Sequence, residues 1–260
     1  MRYFYREIVK ENGLILRGVL NTPEDFDENK KYPVMVSFHG LLDDRNGINY
    51  MSIQEAKYLT SGNILVYRFD FSAAGESDGA IFDLTLSRLI EEGRLIYDHV
   101  IKDSFVDKEN IYLRAHSIGS SAAVSLAYEK NPRGLILYAP VVDFTSKTNT
   151  FMKTLEKVNE DKSLVEKSLD LGGMRLSTKI LEDGKNLNIL DLASKYQGQV
   201  IIFRGDRDKL ISKDHTKDLT NAFKNASYVE LSGTGHNFTS ENLRLEMFDR
   251  TFRFILGSKK

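Results

Sequence analysis

With 260 residues, 41% of them hydrophobic, the chain can build one large domain with an insertion. Lys and Arg number 36 against 37 Asp and Glu, with no basic patch, so nucleic acid is not an expected partner. The absence of cysteine rules out disulfides and thiol catalysis and fits a cytoplasmic protein, and no run approaches the roughly 20 apolar residues of a membrane span.

Met1 to Glu7 contains no apolar stretch of signal-peptide length. Residues 7–10 and 14–20 flank Asn12-Gly13, a hairpin signal that predicts an antiparallel start. Residues 32–38 read as a buried strand, 50–59 as a helix and 63–71 as a second strand. A long amphipathic helix follows over 83–102, with Leu86, Leu89, Ile90, Ile96 and Val100 among its apolar positions. Residues 110–114 form a strand that turns at Ser117 into a helix over 122–128, and another strand runs over 134–142. Strands around Val200 and Val229 alternate with helices near 214–223 and 241–255, so the expected fold is a mostly parallel, doubly wound α/β sheet.

Residues 144–193 break this rhythm, with no strong strand where simple alternation would place one helix. Phe151, Leu155 and Val158 repeat at helical spacing, as do Val165 and Leu169, and Leu171-Gly172-Gly173-Met174 interrupts them. Part of this segment is expected to pack as helices on the flank of the sheet. Because it leaves from the strand beside the Ser117 strand, it is also expected to be a cap supplying an apolar substrate wall. The division is therefore a core of residues 1–143 and 194–260 with a cap over 144–193.

Ser117 lies in Ala115-His116-Ser117-Ile118-Gly119, between a strand and a helix. A serine on such a turn is pushed out of the sheet beside the unpaired N–H groups of the helix start, where a developing oxyanion could be stabilised. Alone the pattern is weak, since a helix-capping serine reads the same way. It needs an acid and then a histidine downstream, each just after a strand. Residues 199–204 break into Gly205-Asp206-Arg207-Asp208, and residues 228–231 break into Ser232-Gly233-Thr234-Gly235-His236. In a parallel sheet these loops share one edge with Ser117. Asp206 and Asp208 share one turn and compete as the acid, with Asp143 a weaker substitute. His116 reads as a packed histidine and His39 as a brace for its loop. His99 and His215 read as bland helix residues, and Ser120 and Ser121 as capping or packing hydroxyls. No cluster has metal-ligand spacing, and neither a metal nor an organic cofactor is expected.

Four features make the chain resemble the α/β-hydrolase superfamily, nearest to bacterial serine esterases of the cinnamoyl/feruloyl type: Phe38-His39-Gly40-Leu41, Arg68-Phe69-Asp70-Phe71 followed by Gly75-Glu76-Ser77-Asp78-Gly79, the Ser117 turn, and the two late loops. The resemblance implies Ser117 as nucleophile, His236 as general base, Asp208 as its orienting acid, and the backbone N–H groups of Leu41 and Ile118 as an oxyanion hole. Such relatives usually carry Gly-His-Ser-Gln-Gly where this chain has Ala115 and Ile118, and His-Gly-Phe-Thr where it has His39-Gly40-Leu41-Leu42. They also carry Gly-His-Gly where it has Ala73-Ala74-Gly75. These changes bear on the choice of acyl group.

The expected activity is hydrolysis of carboxylic esters, with short-to-medium or cinnamoyl/feruloyl-type acyl groups, and the expected partner is a small-molecule ester. Three other activities stay open: acyl-peptide or thioester hydrolysis, acyl transfer to an alcohol, and non-catalytic binding on the same fold. A homodimer is likewise left open.

Overall fold

The computed structural model describes residues 1–141, 150–161 and 167–257. In chain order the strands are β1 (Arg2–Val9), β2 (Ile15–Thr22), β3 (Tyr32–Phe38), β4 (Leu65–Phe69), β5 (Val106–His116), β6 (Gly134–Tyr138), β7 (Ser168–Asp170), β8 (Arg175–Ser177), β9 (Gln199–Gly205) and β10 (Ala226–Leu231). The helices are α1 (Met51–Thr60), α2 (Leu86–Val100), α3 (Gly119–Lys130), α4 (Thr150–Glu160), α5 (Lys179–Lys185), α6 (Ile189–Lys195), α7 (Lys213–Ala222) and α8 (Glu241–Leu256).

Eight strands form one sheet in the order β1-β2-β4-β3-β5-β6-β9-β10. β2 runs antiparallel to both its neighbours, and the pairs from β4 to β10 are parallel. The β1–β2 hairpin closes at Asn12-Gly13, as that dipeptide predicts, with Gly13 at φ 81°. The helices bury apolar faces on both sides of the sheet. α2, α3, α6 and α7 contribute Leu89, Ile96, Ala123, Leu126, Ala193 and Leu219 to the larger core, and α1 and α8 contribute Met51, Leu59, Met247 and Phe248 to the smaller one.

The connection order reverses between β3 and β5. The chain moves from β3 outward to β4, then returns to place β5 on the other side of β3. A crevice opens at such a switch point, outside the carboxyl ends of the strands. The β3–β5 register pairs Phe38 with Ala115, which brings the loops after both strands to the same height.

Between β6 and β9, Phe151, Leu155 and Val158 lie on α4 as their spacing predicts, and the segment departs from its helical expectation at Leu169. Leu169 lies in a short antiparallel hairpin, β7–β8, and Gly172 and Gly173, at φ 74° and 91°, make its two-residue turn. Positive φ at both central residues matches strand twist in such turns, and glycine adopts it without steric cost. α5 packs on α2, while α6 packs on α3 and α7 and runs across the expected boundary at 193. Val142, Asp143, Phe144 and Val165 lie outside the described residues.

Candidate active site

Ser117 follows the last residue of β5 and precedes α3. Its φ is 52°, in the left-handed region that costs a side-chain-bearing residue about 1–3 kcal/mol and persists only where surrounding contacts enforce it. Those contacts are present. The Ser117 N–H donates to the Tyr138 carbonyl at 2.9 Å, and the Ser117 carbonyl accepts from Val141 N–H at 3.1 Å and Ser120 N–H at 3.1 Å. The tight turn also explains Gly119. A Cβ there would sit 2.5 Å from the His39 carbonyl oxygen, so only glycine lets α3 approach the end of β3. Ala115 is fully buried, and its methyl group is accommodated where relatives carry glycine.

The loops after β9 and β10 reach the same edge. The Ser117 hydroxyl donates to His236 Nε2 at 3.0 Å, and His236 Nδ1–H donates to Asp208 Oδ2 at 2.9 Å. Asp208 Oδ1 accepts the amides of Leu210 and Ile211 at 2.8 and 2.9 Å. Burial works against the charge of Asp208, but the His236 hydrogen bond and the two amides outweigh it and hold its pKa below the ordinary carboxylate value. Asp206 turns the other way, accepting from Gly233 N–H at 2.8 Å and Ser232 Oγ at 2.9 Å, and so braces the next loop.

Leu41 follows β3, and Ile118 sits at the N-terminus of α3. Among the described residues, neither amide donates to another protein group. His39 holds the Leu41 loop as expected: its Nδ1–H donates to the Gly40 carbonyl at 2.8 Å, and its Nε2 accepts the Phe71 amide at 3.0 Å. Those two bonds fix the tautomer of the ring. Gly40 packs against the Ser117 turn, where a Cβ would lie 3.3 Å from Ser117 Cβ.

Two cavities meet at this loop. One, about 360 Å³, is lined by Ser117, His236, Val141, Leu171, Leu210 and Ile211. The other, about 450 Å³, holds neither Ser117 nor His236 and has Phe71, Ile81, Leu84, Leu89 and Met174 in its wall. Leu41, Leu42, Asp43, Ile48 and Ile118 line both.

Two buried arginines that pin these loops escaped the sequence reading. Arg204 donates to the carbonyls of Asp208 at 3.0 Å and Ile211 at 3.1 Å, clamping the acid loop. Arg244 on α8 donates to the Phe238 and Asn237 carbonyls at 2.6 and 3.3 Å, and to the Asn49 and Ile48 carbonyls at 3.0 and 3.1 Å. It thus ties the His236 loop to the chain entering α1. A charge that interrupts the apolar run 200–203 just before the acid loop was a usable signal for Arg204. Arg244 carries none, because two of its partners are some 195 residues away.

His99 is half-buried on α2 with its ring 5.8 Å from Phe69, His215 is buried on α7, and neither lines the two cavities. Ser121 donates to the Val141 carbonyl at 3.1 Å. Among the described residues, no group of three His, Cys, Asp or Glu could hold a metal ion, and no helix is long and apolar enough to cross a membrane.

The strand order, the strained serine turn and the loops at one sheet edge define an α/β-hydrolase fold. A family model described as serine aminopeptidase, S33, matches residues 30–170, just over half the chain, and the protein belongs to that family of α/β-hydrolases. The match spans Leu41, Ser117 and Ile118 and ends before Asp208 and His236. No curated protein matches the sequence. Among solved structures, Est1E from Butyrivibrio proteoclasticus with ferulic acid bound superposes with a TM-score of 0.81 at 20% identity over 98% of each chain. The α/β-hydrolase GrgF from Penicillium sp. sh18 gives 0.78 at 15% identity, covering 99% of this chain and 100% of its own. A monoacylglycerol lipase from Paleococcus ferrophilus gives 0.68 at 17% identity over 99% of each chain. At such identities these likenesses establish the fold.

Proposed function

We propose that this protein is a serine esterase that cleaves carboxylic esters through an acyl-enzyme. The observation that carries this reading is the continuous relay from Ser117 Oγ through His236 to Asp208, at 3.0 and 2.9 Å, opening on a cavity. His236 takes the Ser117 proton as Oγ attacks the ester carbonyl. Asp208 fixes the tautomer of His236 and stabilises the imidazolium. The carbonyl oxygen, now negative, accepts from the Leu41 and Ile118 amides. The tetrahedral adduct then collapses. His236 returns the proton to the departing alcohol, and a water activated by the same imidazole later releases the acid.

This chemistry assigns the cavities. The leaving oxygen must lie within reach of His236 Nε2, so the alcohol occupies the part of the smaller cavity beside His236, Leu210 and Ile211. The acyl group extends the other way, past Leu41 and Ile118 into the larger cavity. Its volume and apolar wall suit short-to-medium acyl chains or an arylacyl group, and the ferulic acid named with Est1E is of the second kind. The segment 144–193 acts as the cap through its β7–β8 hairpin, which sets Leu171 in the smaller cavity and Met174 in the larger.

The S33 family description favours a second reading, in which the same relay cleaves an aminoacyl amide. Initial rates on p-nitrophenyl esters from acetate to octanoate, on methyl ferulate and coumarate, and on matched thioester and anilide substrates separate the two. The esterase reading expects ester turnover well above anilide turnover, with Ser117→Ala reducing all of it to background. Anilide cleavage outpacing ester cleavage would replace it with the second reading.

A further inference from the structure

His116 touches three of the four loops that the proposed chemistry needs: the Ser117 turn, the His236 loop and the Leu41 loop. It immediately precedes Ser117 and is 3% exposed. Its Nε2–H donates to the backbone carbonyl of His236 at 3.2 Å, and its ring lies 5.2 Å from the His236 ring and 6.4 Å from the Phe238 ring. On its other edge Gly40 packs so closely that a Cβ there would be 3.2 Å from Nδ1, and Asp43 Oδ2 stands 3.9 Å from that nitrogen.

We propose that His116 is a positioning residue that spaces the base loop and the oxyanion loop about Ser117, a role that rests on the esterase reading above. A carbonyl accepts only from N–H, so the bond to His236 fixes the proton on Nε2. Nδ1 then turns a lone pair toward the Asp43 carboxylate, and it has no hydrogen-bond partner. Burial, opposed by Asp43, lowers the His116 pKa and so favours this neutral form. The ring therefore draws the His236 backbone in on one side. On the other it faces Asp43, two residues beyond Leu41, at 3.9 Å, beyond hydrogen-bond reach. Asp43 in turn is anchored through Oδ1, which accepts the Asp44 amide at 2.9 Å. A bland packing histidine would need only its ring. A spacer needs the Nε2 donor.

Two substitutions separate those roles. His116→Phe keeps a ring and removes the donor, whereas His116→Gln removes the ring and places an amide N–H near the Nε2 position. With p-nitrophenyl butyrate, His116→Phe is expected to lower kcat about 10- to 100-fold, the scale of a small misplacement of reacting groups, with KM within about twofold. His116→Gln should recover most of the loss. The reverse ranking, with Phe active and Gln impaired, would overturn the proposal in favour of packing. Thermal melts show whether each variant folds. If His116→Phe does not, Asp43→Asn supplies the test, because its carboxamide can donate to Nδ1 and pull the oxyanion loop inward. The expected result is a kcat changed at least about fivefold, and an unchanged kcat with altered KM alone would contradict the spacing role. Ser117→Ala in the same assay keeps the two readings apart. Activity surviving in that variant removes the esterase reading, while activity lost there with the reverse His116 ranking removes only the spacer.

Discussion

The two walls of the site are built by different means. On the sheet side, each loop is held by buried polar groups: Arg204 on the acid loop, Arg244 on the histidine loop, His39 on the Leu41 loop, and Glu92 on the loop after β4. Glu92 alone takes Lys10 Nζ at 2.7 Å, Arg88 Nε at 3.1 Å and the Ser72 amide at 2.8 Å. On the side of the proposed cap, Leu171 and Met174 line the cavities from a two-glycine hairpin tied within itself, Leu171 N–H donating to the Met174 carbonyl at 2.7 Å and Gly173 N–H to Asp170 Oδ1 at 2.8 Å. In the proposed reaction the sheet side fixes distances between reacting atoms, where small errors are costly. Among the described residues, the proposed cap lines the cavities with Leu171 and Met174, apolar area that other side chains could supply as well.

Substitutions on the two walls should therefore differ in kind as well as size. The largest effect on rate is expected at Asp208. Asp208→Asn removes the charge that fixes the His236 tautomer and should cut kcat by about 10³- to 10⁴-fold with folding intact. Steady-state kinetics on one ester checks it, and a loss under tenfold would mean another acid serves.

Next comes stability on the sheet side. Glu92→Ala strips a buried charge from Lys10 and should cost about 3–5 kcal/mol in denaturant unfolding. The same group predicts an acid limb. Burial raises the Glu92 pKa, but Lys10 and Ser72 outweigh it, leaving the folded value below the ordinary 4.5. Its stabilisation is thus complete above pH 4.5 and lost as pH falls through the folded value, so the gap between wild type and Glu92→Gln should narrow in acid. A gap constant with pH would detach Glu92 from the ionised network.

The smallest effects are expected in the proposed cap. Met174→Ala should shift the acyl-length preference by about 1–3 kcal/mol in kcat/KM, mostly through KM, with little change in melting temperature. A uniform loss across all acyl lengths would place Met174 outside the acyl cavity.

Legibility in the sequence divides along similar lines. Ser117, Asp208 and His236 could be singled out because each follows an apolar strand run, and parallel strands deliver such loops to one edge. Choosing Asp208 over Asp206 needed a family spacing; in the structure Asp206 spends both oxygens on Ser232 and Gly233. The β7–β8 hairpin was misread because three-residue strands are too short for a period of two to show, and Leu169 fell at helical spacing from Val165 by coincidence. Gly172-Gly173 was the better signal there. Arg244 and the 3.9 Å gap between His116 and Asp43 depend on tertiary closeness that no local pattern encodes.

The central claim is that Ser117 is a nucleophile activated by His236. Labelling with a fluorophosphonate followed by peptide mass spectrometry tests it most directly. The account predicts one adduct, on the peptide containing Ser117, that is abolished by Ser117→Ala and strongly slowed by His236→Ala. An unlabelled protein, or an adduct on another serine, would contradict it.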